Sequence, residues 1–414
     1  MTSSGTSALM RLDSTGGRPQ YEQADRLRAA GPAVRVGLPE DVTAWSVTRG
    51  DVIKKLLTHP AISRDARKSL PGYRPGTVSW LFPWVDAESM FTAEGGDHTR
   101  LRRLIGPAFS PRRIEAMRPV VHAVVDELLD ELAAERGEGP VDLRERFAHR
   151  VPTRVICDLF GVPDEQRASM LGVFDRVVAT DVTAAQSAEL REDLMSATGR
   201  LLAAKRLEPG EDLTSRLIAG GEDGTDRLTE YEQNSTLQLM IGAGSQTSIA
   251  LIGHAVRELL TNRRALTAAL ADPARWDDVI EETLRLHPSV MHMPMRWATE
   301  DIDLGDGVVV RTGDALIIGF GAHGRDPGTH ENPADFDIDR ADKAHLAFGH
   351  GVHYCLGAPL ARLEASVALP ALFDRFPRLA LAADPRELPY RRSFIGNDVA
   401  SLPVFLDGAD RAGG

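Results

Sequence analysis

Cysteine is scarce in this chain, and so are long apolar runs. The 414 residues include only Cys157 and Cys355, which excludes a disulfide framework and favours a reducing compartment. Residues 1–17 are rich in Ser, Thr and Gly, and they contain no apolar run of the kind that a signal peptide or a membrane anchor needs. We therefore expect a cytoplasmic protein that does not bind to a membrane.

Positive charge is also limited. The formal net charge is -12, and only five of the 48 Lys and Arg residues are lysine. An acidic chain binds polyanions poorly, so nucleic acid is not an expected partner. No Gly/Ser/Pro-rich linker, charge block or repeat divides residues 18–407. These residues are predicted to form one large domain, with flexible ends at 1–17 and 408–414.

The most informative stretch is 345–363, where three glycines surround a single cysteine. Gly349 and Gly351 precede Cys355, and Gly357 follows it. Apolar residues at spacings of four, three and four then predict a helix. A cysteine at a helix N-terminus gains thiolate character from the helix dipole and the unpaired N–H groups. The pattern therefore predicts a thiolate on a tight loop, suited to one bond to a planar metal cofactor.

The residues alone leave two other interpretations of Cys355 open. A free cysteine is commonly a buried structural residue. The second alternative is a zinc site formed by His350, His353 and Cys355. Zinc usually takes four ligands, however, and no second cysteine lies nearby.

The same stretch resembles the haem-binding signature of the cytochrome P-450 superfamily in its soluble bacterial form. The fixed positions of that signature are filled by Phe348, Gly349, Gly351, His353, Cys355 and Gly357. The resemblance implies a mainly α fold with a small β region. It also implies one haem b with Cys355 as the axial iron ligand, and Phe348, Gly349, His353 and Gly357 as further cofactor-binding residues. In this class the thiolate pushes electron density toward the iron and favours O–O cleavage.

Three basic residues match the positions that bind the haem propionates in this family. His98 and Arg102 are four residues apart and share one face of a predicted helix. Spacing alone would also fit a solvated basic face. The resemblance implies that His98, Arg102 and Arg296 bind the propionates, and the planar fork of arginine suits a carboxylate.

A long helix is predicted from Thr229 to about residue 260. Thr229 and Glu232 fit a capping box at its start. Gly242 and Gly244 interrupt its middle, and a mid-helix glycine costs about 1 kcal/mol relative to alanine. Close helix packing would explain both glycines, and the resemblance implies instead a groove for oxygen over the haem.

The resemblance assigns catalytic roles in this helix. The implied residues are Ala243, Gly244, Gln246 and Thr247. The family usually has an acid where this chain has Gln246. A neutral amide cannot donate a carboxylic proton, so the ordinary proton-delivery relay is in doubt.

Residues 68–91 form an aromatic-rich loop whose prolines and glycines forbid a long helix. Such a loop is more often packed core than binding surface, but the resemblance implies that it roofs the substrate pocket. The predicted substrate-binding residues, from this loop, the long helix and two later segments, are Trp84, Val85, Met90, Phe91, Met240, Ala243, Thr247, Val290, His292, Met293, Phe394 and Ile395.

Glu282 and Arg285 are three residues apart on another predicted helix. Such a pair is usually a surface contact worth little. The resemblance implies a buried structural triad that these two residues form with Arg340.

Local patterns predict further elements. A helix is predicted from the apolar stripe of Val120, Val124, Leu128 and Leu132. Gly161 is expected to end a second helix, which directly precedes this glycine in the chain. Asp272 and Pro273 fit the cap and first position of another helix. Residues 164–210 are predicted to form short helices.

Three functions remain open. The first is a monooxygenase that uses O2 and electrons from a ferredoxin, a ferredoxin reductase and NAD(P)H to hydroxylate a bulky, largely apolar small molecule. Such a substrate would belong to secondary metabolism or to steroid, terpenoid or polyketide oxidation. The second is oxidative C–C or C–N coupling of an aromatic or cyclic-peptide substrate, which the neutral Gln246 favours. The third is a non-catalytic haem-thiolate sensor or carrier, which the retained Thr247 disfavours.

The surface on the cysteine side is predicted to be basic although the whole chain is acidic. The candidate residues are Arg102, Arg103, Arg112, Arg113 and Arg362. A small acidic ferredoxin would bind there, at a rate that falls as salt rises.

Overall fold

The computed structural model describes residues 9–12, 16–137, 139–220 and 227–408. The ends that were expected to be flexible, 1–17 and 408–414, lie mostly outside the described residues, so that expectation stays a prediction. Within the described part, Met10–Arg11 forms a strand and Gly17 begins a helix.

Helices form most of the described chain and surround one long central helix. They are α1 (Gly17–Ala30), α2 (Gly50–Leu57), α3 (Ala66–Ser69), α4 (Gly95–Ile105), α5 (Pro111–Glu115), α6 (Arg118–Ala134), α7 (Arg150–Phe160), α8 (Asp164–Phe174), α9 (Ala184–Leu207), α10 (Leu213–Ala219), α11 (Glu230–Thr261), α12 (Arg263–Ala271), α13 (Arg275–Leu286), α14 (Phe320–Gly324) and α15 (Ala358–Arg375). In the aromatic loop, Ser79–Leu81 is a 3-10 turn and Phe82–Asp86 is a π-helical turn.

The strands form small sheets beside the helices. They are β1 (Met10–Arg11), β2 (Ala33–Gly37), β3 (Thr43–Val47), β4 (Ile62–Ser63), β5 (Val141–Asp142), β6 (His292–Ala298), β7 (Ile302–Asp303), β8 (Val309–Val310), β9 (Ala315–Gly319), β10 (Ala380–Leu381) and β11 (Pro403–Phe405). The largest sheet has the order β1-β2-β3-β9-β6-β4, and the smaller ones are β10-β11-β5 and β7-β8. Strand β6 pairs antiparallel with β9, with a register shift between Met293 and Arg296. The predicted mainly α fold with a small β region is confirmed.

The central helix α11 begins as predicted. The Thr229 hydroxyl accepts the Glu232 N–H at 3.2 Å, and the Glu232 carboxylate accepts the Thr229 N–H at 2.8 Å. The helix then continues for 32 residues and packs against α7, α9, α13 and α15. Among the described helices it alone is long and apolar enough for a membrane span, but 78% of its most apolar window is buried inside the protein. Such burial is typical of a core helix.

Two predicted details of the helices need correction. Val124, Leu128 and Leu132 of the predicted stripe on α6 are buried, but Val120 is 38% exposed and its neighbour Val121 is fully buried in its place. Helix α13 begins at Arg275, because Asp272 caps the turn before it by accepting a backbone N–H two residues later at 3.0 Å.

The segment 164–210 also differs from its prediction. It contains α8, of 11 residues, and α9, of 24 residues, rather than only short helices. A capping box at Thr183 starts α9, and the helix continues through Gly199. The predicted end of α7 is confirmed, because Gly161 adopts the left-handed conformation with φ of 62°.

Candidate active site

Cys355 lies on a turn that leads into α15. Gly349 and Gly351 each have φ of 75° in that turn, a conformation that favours glycine. The Cys355 N–H donates to the Phe348 carbonyl at 2.9 Å. The exposed surface of the Cys355 side chain faces an interior cavity rather than the outer surface. The turn therefore presents the sulfur atom to this cavity.

The helix N-terminus alone does not make Cys355 a thiolate. Burial raises the pKa of the Cys355 thiol, and hydrogen bonds from the backbone N–H groups of Gly357 and Ala358 only oppose that rise. The shift toward the thiolate that the sequence predicts is therefore outweighed by burial. A metal ion at the sulfur would reverse the balance, because coordinating thiols are deprotonated.

Four basic residues from three elements line one edge of the cavity. His98 and Arg102 come from α4, Arg296 comes from β6, and His353 comes from the turn before α15. The ring centroids of His98 and His353 are 4.2 Å apart. His98 Nε2 has no hydrogen-bond partner among the described residues, and Arg296 Nη1 donates to the carbonyl of Met295.

The electrostatics of this edge show that it needs negative charge. Burial lowers the pKa of Arg296 to about 9. Burial, followed by the charges of Arg296, His98 and Arg102, lowers the pKa of His353 to about 3. A buried cation is unfavourable unless an anion pairs with it. Four converging basic groups fit a cofactor that brings two carboxylates, as a porphyrin with two propionates does.

Helix α11 forms another wall of the cavity. Ala243 and Thr247 both line it, one helical turn apart. The Thr247 hydroxyl donates to the Ala243 carbonyl at 2.8 Å, and the Ser289 hydroxyl donates to the Thr247 carbonyl at 2.7 Å. Because a hydroxyl has one donor and two acceptor sites, Thr247 Oγ1 can still accept a hydrogen bond from the cavity.

Helix packing explains Gly242 and Gly244 of α11. A Cβ atom at Gly244 would lie 2.7 Å from the Ile156 side chain of α7, and one at Gly242 would lie 3.1 Å from Phe174 of α8. Both glycines therefore let neighbouring side chains approach the α11 backbone. The helix is continuous at this point, so the groove that the resemblance implies is not visible as a break.

The Gln246 side chain faces α8 and the residue that directly follows this helix. Its Nε2 donates to Asp175 Oδ1 at 2.7 Å, and His149 Nε2 lies 3.2 Å from the same oxygen. Burial opposes ionisation of Asp175, but the hydrogen bonds from His149 and Gln246 leave its pKa lowered overall. The amide at the usual acid position is thus bonded to a carboxylate that stays ionised.

Most of the predicted substrate-binding residues line the cavity. They are Trp84, Met90, Phe91, Met240, Ala243, Thr247, Val290, Met293 and Ile395. The Trp84 and Phe91 rings pack edge to face with centroids 6.2 Å apart. The cavity is therefore lined by both aromatic and aliphatic side chains.

The other three predicted contacts, Val85, His292 and Phe394, do not line the cavity. Residues 292 and 293 are neighbours on β6, so their side chains point to opposite faces. Phe394 packs against Trp80 with centroids 5.1 Å apart, and Val85 is 2% exposed in the same core. In each case a residue next to the predicted one lines the cavity. The prediction therefore chose a segment that reaches the cavity but the wrong side chain within it.

The predicted structural triad is assembled away from the cavity. Glu282 and Arg285 are fully buried, and Arg285 Nε lies 2.7 Å from Glu282 Oε2. Arg340 Nε lies 3.2 Å from Glu282 Oε1. Arg285 also donates to the carbonyl of Asp335 at 2.9 Å, so the triad joins α13 to the chain that follows α14.

Sequence reasoning missed three charged residues at or near the site. Arg64 lines the cavity from the turn between β4 and α3, Asp175 contacts Gln246, and Glu364 is buried on α15, where burial raises its pKa to about 8. None lies in a motif, and Asp175 meets Gln246 across 71 residues of chain. No sequence signal could have found them, because only the tertiary fold brings them to the site.

The alternative interpretations of the cysteines can now be compared with the structure. In the part of the chain that the structure describes, no group of three or more His, Cys, Asp or Glu is placed to hold a metal ion, so the zinc interpretation has no support. Cys157 is buried in the core of α7, and burial raises its pKa to about 11. It fits an inert core residue, as the sequence predicts.

The fold and the cavity together define a thiolate-ligated haem protein. The chain is similar throughout to known proteins of that class. The 2-hydroxy-5-methyl-1-naphthoate 7-hydroxylase of Streptomyces carzinostaticus is 42% identical over 402 residues, which cover 96% of this chain and 97% of that protein. The 6-deoxyerythronolide B hydroxylase of Saccharopolyspora erythraea is 36% identical over 395 residues, which cover 94% and 96%.

The structural comparison agrees. The structure of CYP154A1 from Streptomyces coelicolor A3(2) is 44% identical, covers 96% of this chain and 100% of its own, and superposes with a TM-score of 0.90. The Cytochrome P450 family model matches residues 276–396. The chain belongs to the cytochrome P450 family. It is a haem-dependent monooxygenase with the haem-thiolate cofactor of that family, and the predicted fold is confirmed.

Proposed function

We propose that the chain hydroxylates a bulky, largely apolar small molecule, with haem b bound in the cavity through Cys355. One observation carries this proposal: the Cys355 sulfur, a basic edge, and aromatic and aliphatic side chains all face one space. Such an arrangement gives a planar, dianionic cofactor a ligand and counter-charges, and leaves an apolar volume for substrate.

The basic edge would bind the cofactor's two carboxylates. His98, Arg102, Arg296 and His353 would each donate charge-assisted hydrogen bonds to the propionates. The unpartnered Nε2 of His98 and the buried guanidinium of Arg296 support these roles. The thiolate-ligated haem, when bound, supplies the chemistry that activates O2, since the thiolate pushes electron density toward the iron.

The turn before α15 would shape the cofactor's lower face. A Cβ atom at Gly357 would lie 3.9 Å from the Cys355 sulfur, an ordinary van der Waals distance, so Gly357 lies directly beside the ligand atom. The Arg362 guanidinium lies over the Phe348 ring, 4.6 Å from its centroid. This contact would keep the aromatic ring of Phe348 fixed beside the turn that contains Gly349.

The side chains that line the cavity and the activities of the similar proteins both indicate the class of substrate. The nine lining residues predicted to contact substrate are apolar, apart from the Thr247 hydroxyl, and comprise aromatic, aliphatic and methionine side chains. The relatives named above hydroxylate a naphthoate and 6-deoxyerythronolide B. Secondary metabolism is therefore the proposed setting, with an aromatic or polyketide-like small molecule as the substrate.

Electrons would come from a ferredoxin that is reduced by a ferredoxin reductase with NAD(P)H. The exposed Arg112 and Arg113 on α5, which packs against α15, support an acidic partner on the cysteine side. A cytoplasmic location fits this electron supply and the two free cysteines.

One observation favours oxidative coupling as a second candidate. Gln246 is a neutral amide bonded to Asp175, so this chain lacks the usual acid beside Thr247. Coupling removes hydrogen atoms without inserting oxygen and makes less use of that acid. A non-catalytic sensor or carrier has no comparable observation in its favour.

The test combines a spectrum with the mass of the product. The reduced protein with carbon monoxide should give the long-wavelength Soret band typical of thiolate ligation, and Cys355→His should abolish it. An unchanged spectrum in the variant would contradict the assignment of Cys355. Products of a substrate screen should gain one oxygen atom, whereas loss of two hydrogen atoms without oxygen would indicate coupling.

A further inference from the structure

Arg64 is a buried cation on the cavity wall without a partner for the end of its side chain. It lies between β4 and α3 and is 4% exposed. It lines the cavity, and neither Nη1 nor Nη2 has a hydrogen-bond partner among the described residues. A buried guanidinium is unfavourable unless an anion or an acceptor satisfies it.

The rest of the Arg64 residue is held firmly. Its backbone N–H donates to Glu94 Oε2 at 3.1 Å, and its Nε donates to the Phe91 carbonyl. The guanidinium lies over the Phe91 ring, 3.4 Å from the centroid, a contact that favours a cation. Because these contacts fix Arg64 and leave its two terminal nitrogen atoms unsatisfied, the side chain is preorganised for a ligand.

The chemistry of those nitrogen atoms indicates the ligand. The planar fork of arginine matches a carboxylate through two parallel hydrogen bonds. We propose that Arg64 binds a carboxylate group inside the cavity. The inference rests on the proposed function, because the carboxylate belongs either to a flat aromatic substrate or to the haem.

Two observations favour the substrate as the source. The four residues His98, Arg102, Arg296 and His353 already supply donors for the two propionates, so Arg64 is an additional cation. Arg64 also stacks on Phe91 of the aromatic loop, where Trp84 provides a second ring. An aromatic ring held by this loop would direct its carboxylate to Arg64.

The first arm of the test measures ligand binding to the holoenzyme. Dissociation constants for 1-naphthoate and for the neutral 1-naphthamide are obtained from optical difference titrations. Arg64→Gln should weaken naphthoate binding by about tenfold or more, as expected for a lost charged hydrogen bond, and should leave naphthamide binding almost unchanged. Arg67→Gln is the matched control, because Arg67 pairs with Glu88 at 3.2 Å and lies outside the cavity wall.

The second arm measures haem retention, as the rate of haem transfer to apomyoglobin. Faster transfer from Arg64→Gln, with an unchanged ratio of the two ligand affinities, would identify a haem propionate as the carboxylate. If neither the ratio nor the transfer rate differs from the wild type, the carboxylate site is refuted. Should Arg64→Gln not fold, Arg64→Lys replaces it, and several-fold smaller changes of the same kind are expected. A wild-type protein without the long-wavelength carbon monoxide band would instead contradict the proposed function.

Discussion

Gln246 and Thr247 are consecutive residues of α11 whose side chains meet different surroundings. Both residues line the cavity, but the Gln246 amide donates to Asp175, whereas the Thr247 hydroxyl lies beside Ala243. Successive helix residues differ in direction by roughly 100°, so one position can serve the interior contact and the next the cavity. We therefore expect proton delivery during O2 activation to depend on Thr247 Oγ1 and the molecules it can bind, rather than on an acid at position 246.

Replacing the Thr247 hydroxyl tests this role. Thr247→Ala removes the acceptor that would position a water or a substrate hydroxyl, so product per electron should fall by about tenfold or more. The share of electrons released as hydrogen peroxide should rise correspondingly. Ser245→Ala is the control, since Ser245 makes the same kind of bond to a carbonyl four residues earlier but is fully buried. Equal peroxide yields from both variants would contradict a role for Thr247.

An acid at position 246 should introduce a new pH dependence. Gln246→Glu places a second carboxyl beside Asp175, and repulsion between like charges raises the pKa of the pair. Below the raised pKa the introduced group is protonated and can donate, so O2 consumption should be higher there and fall as pH rises through it. Oxygen uptake with substrate, measured over a pH series, checks this. Gln246→Leu should show no such step, and a step in both variants would assign it to another group.

At the scale of elements, the triad of α13 fixes the segment that leads to the Cys355 turn. Glu282 accepts from both Arg285 and Arg340, and the side chains of all three residues lie in the interior. Glu282→Ala would leave the Arg285 guanidinium buried without its counter-charge, so the free energy of unfolding should fall by about 3–5 kcal/mol. Denaturant unfolding of the holoenzyme measures this loss.

A surface pair provides the comparison for that measurement. Arg264 and Asp339 are 3.1 Å apart, with side chains 89% and 51% exposed. Arg264→Ala should cost less than about 1 kcal/mol, because exposed pairs are solvated and screened. If both substitutions cost the same, the triad would not be the strong link between α13 and the later chain.

Elements with local signals could be predicted, and contacts between distant elements could not. The capping box of Thr229 and the glycine end of α7 at Gly161 depend on nearby residues, and both are confirmed. The direction of a side chain in a strand or a turn depends on where the element packs, which is why Val85 and His292 were misplaced. The packing of Ile156 against Gly244 likewise exists only in the tertiary structure.

The residues of the candidate site also fall into two groups, those that local motifs reveal and those that only tertiary contacts reveal. The Cys355 turn and the basic residues were found because they lie in short motifs that match the family. Arg64 and Asp175 act through partners 27 and 71 residues away, and no pattern in one sequence marks such pairs. The local signal for a thiolate at Cys355 is likewise incomplete, because the helix N-terminus lowers the pKa of the thiol whereas burial, which the whole fold sets, raises it.

At the scale of the whole molecule, charge is distributed unevenly. The chain carries a net charge of -12, yet Arg112 and Arg113 are exposed on α5, which packs against α15. The predicted basic surface is partly neutralised, because Arg362 pairs with Glu281 at 2.6 Å. Exposed apolar groups, Val352 and Tyr354, lie in the turn on the same side. The α5 arginines should therefore contribute most of the remaining positive charge there.

Charge reversal on α5 tests whether an acidic ferredoxin docks on this side. The double variant Arg112→Glu/Arg113→Glu should slow reduction by ferredoxin by about tenfold or more at low ionic strength, because electrostatic steering raises association rates by that factor or above. The difference should shrink as salt is added, since screening at about 0.1 M acts over roughly 10 Å. Arg206→Glu on α9, which packs on α8, α10 and α11, changes the net charge by two units and should have little effect. Reduction rates would be measured by stopped flow over a salt series. Rates that are independent of ionic strength would contradict this docking site. An Arg206 variant that slows reduction as much as the α5 variant would contradict it too.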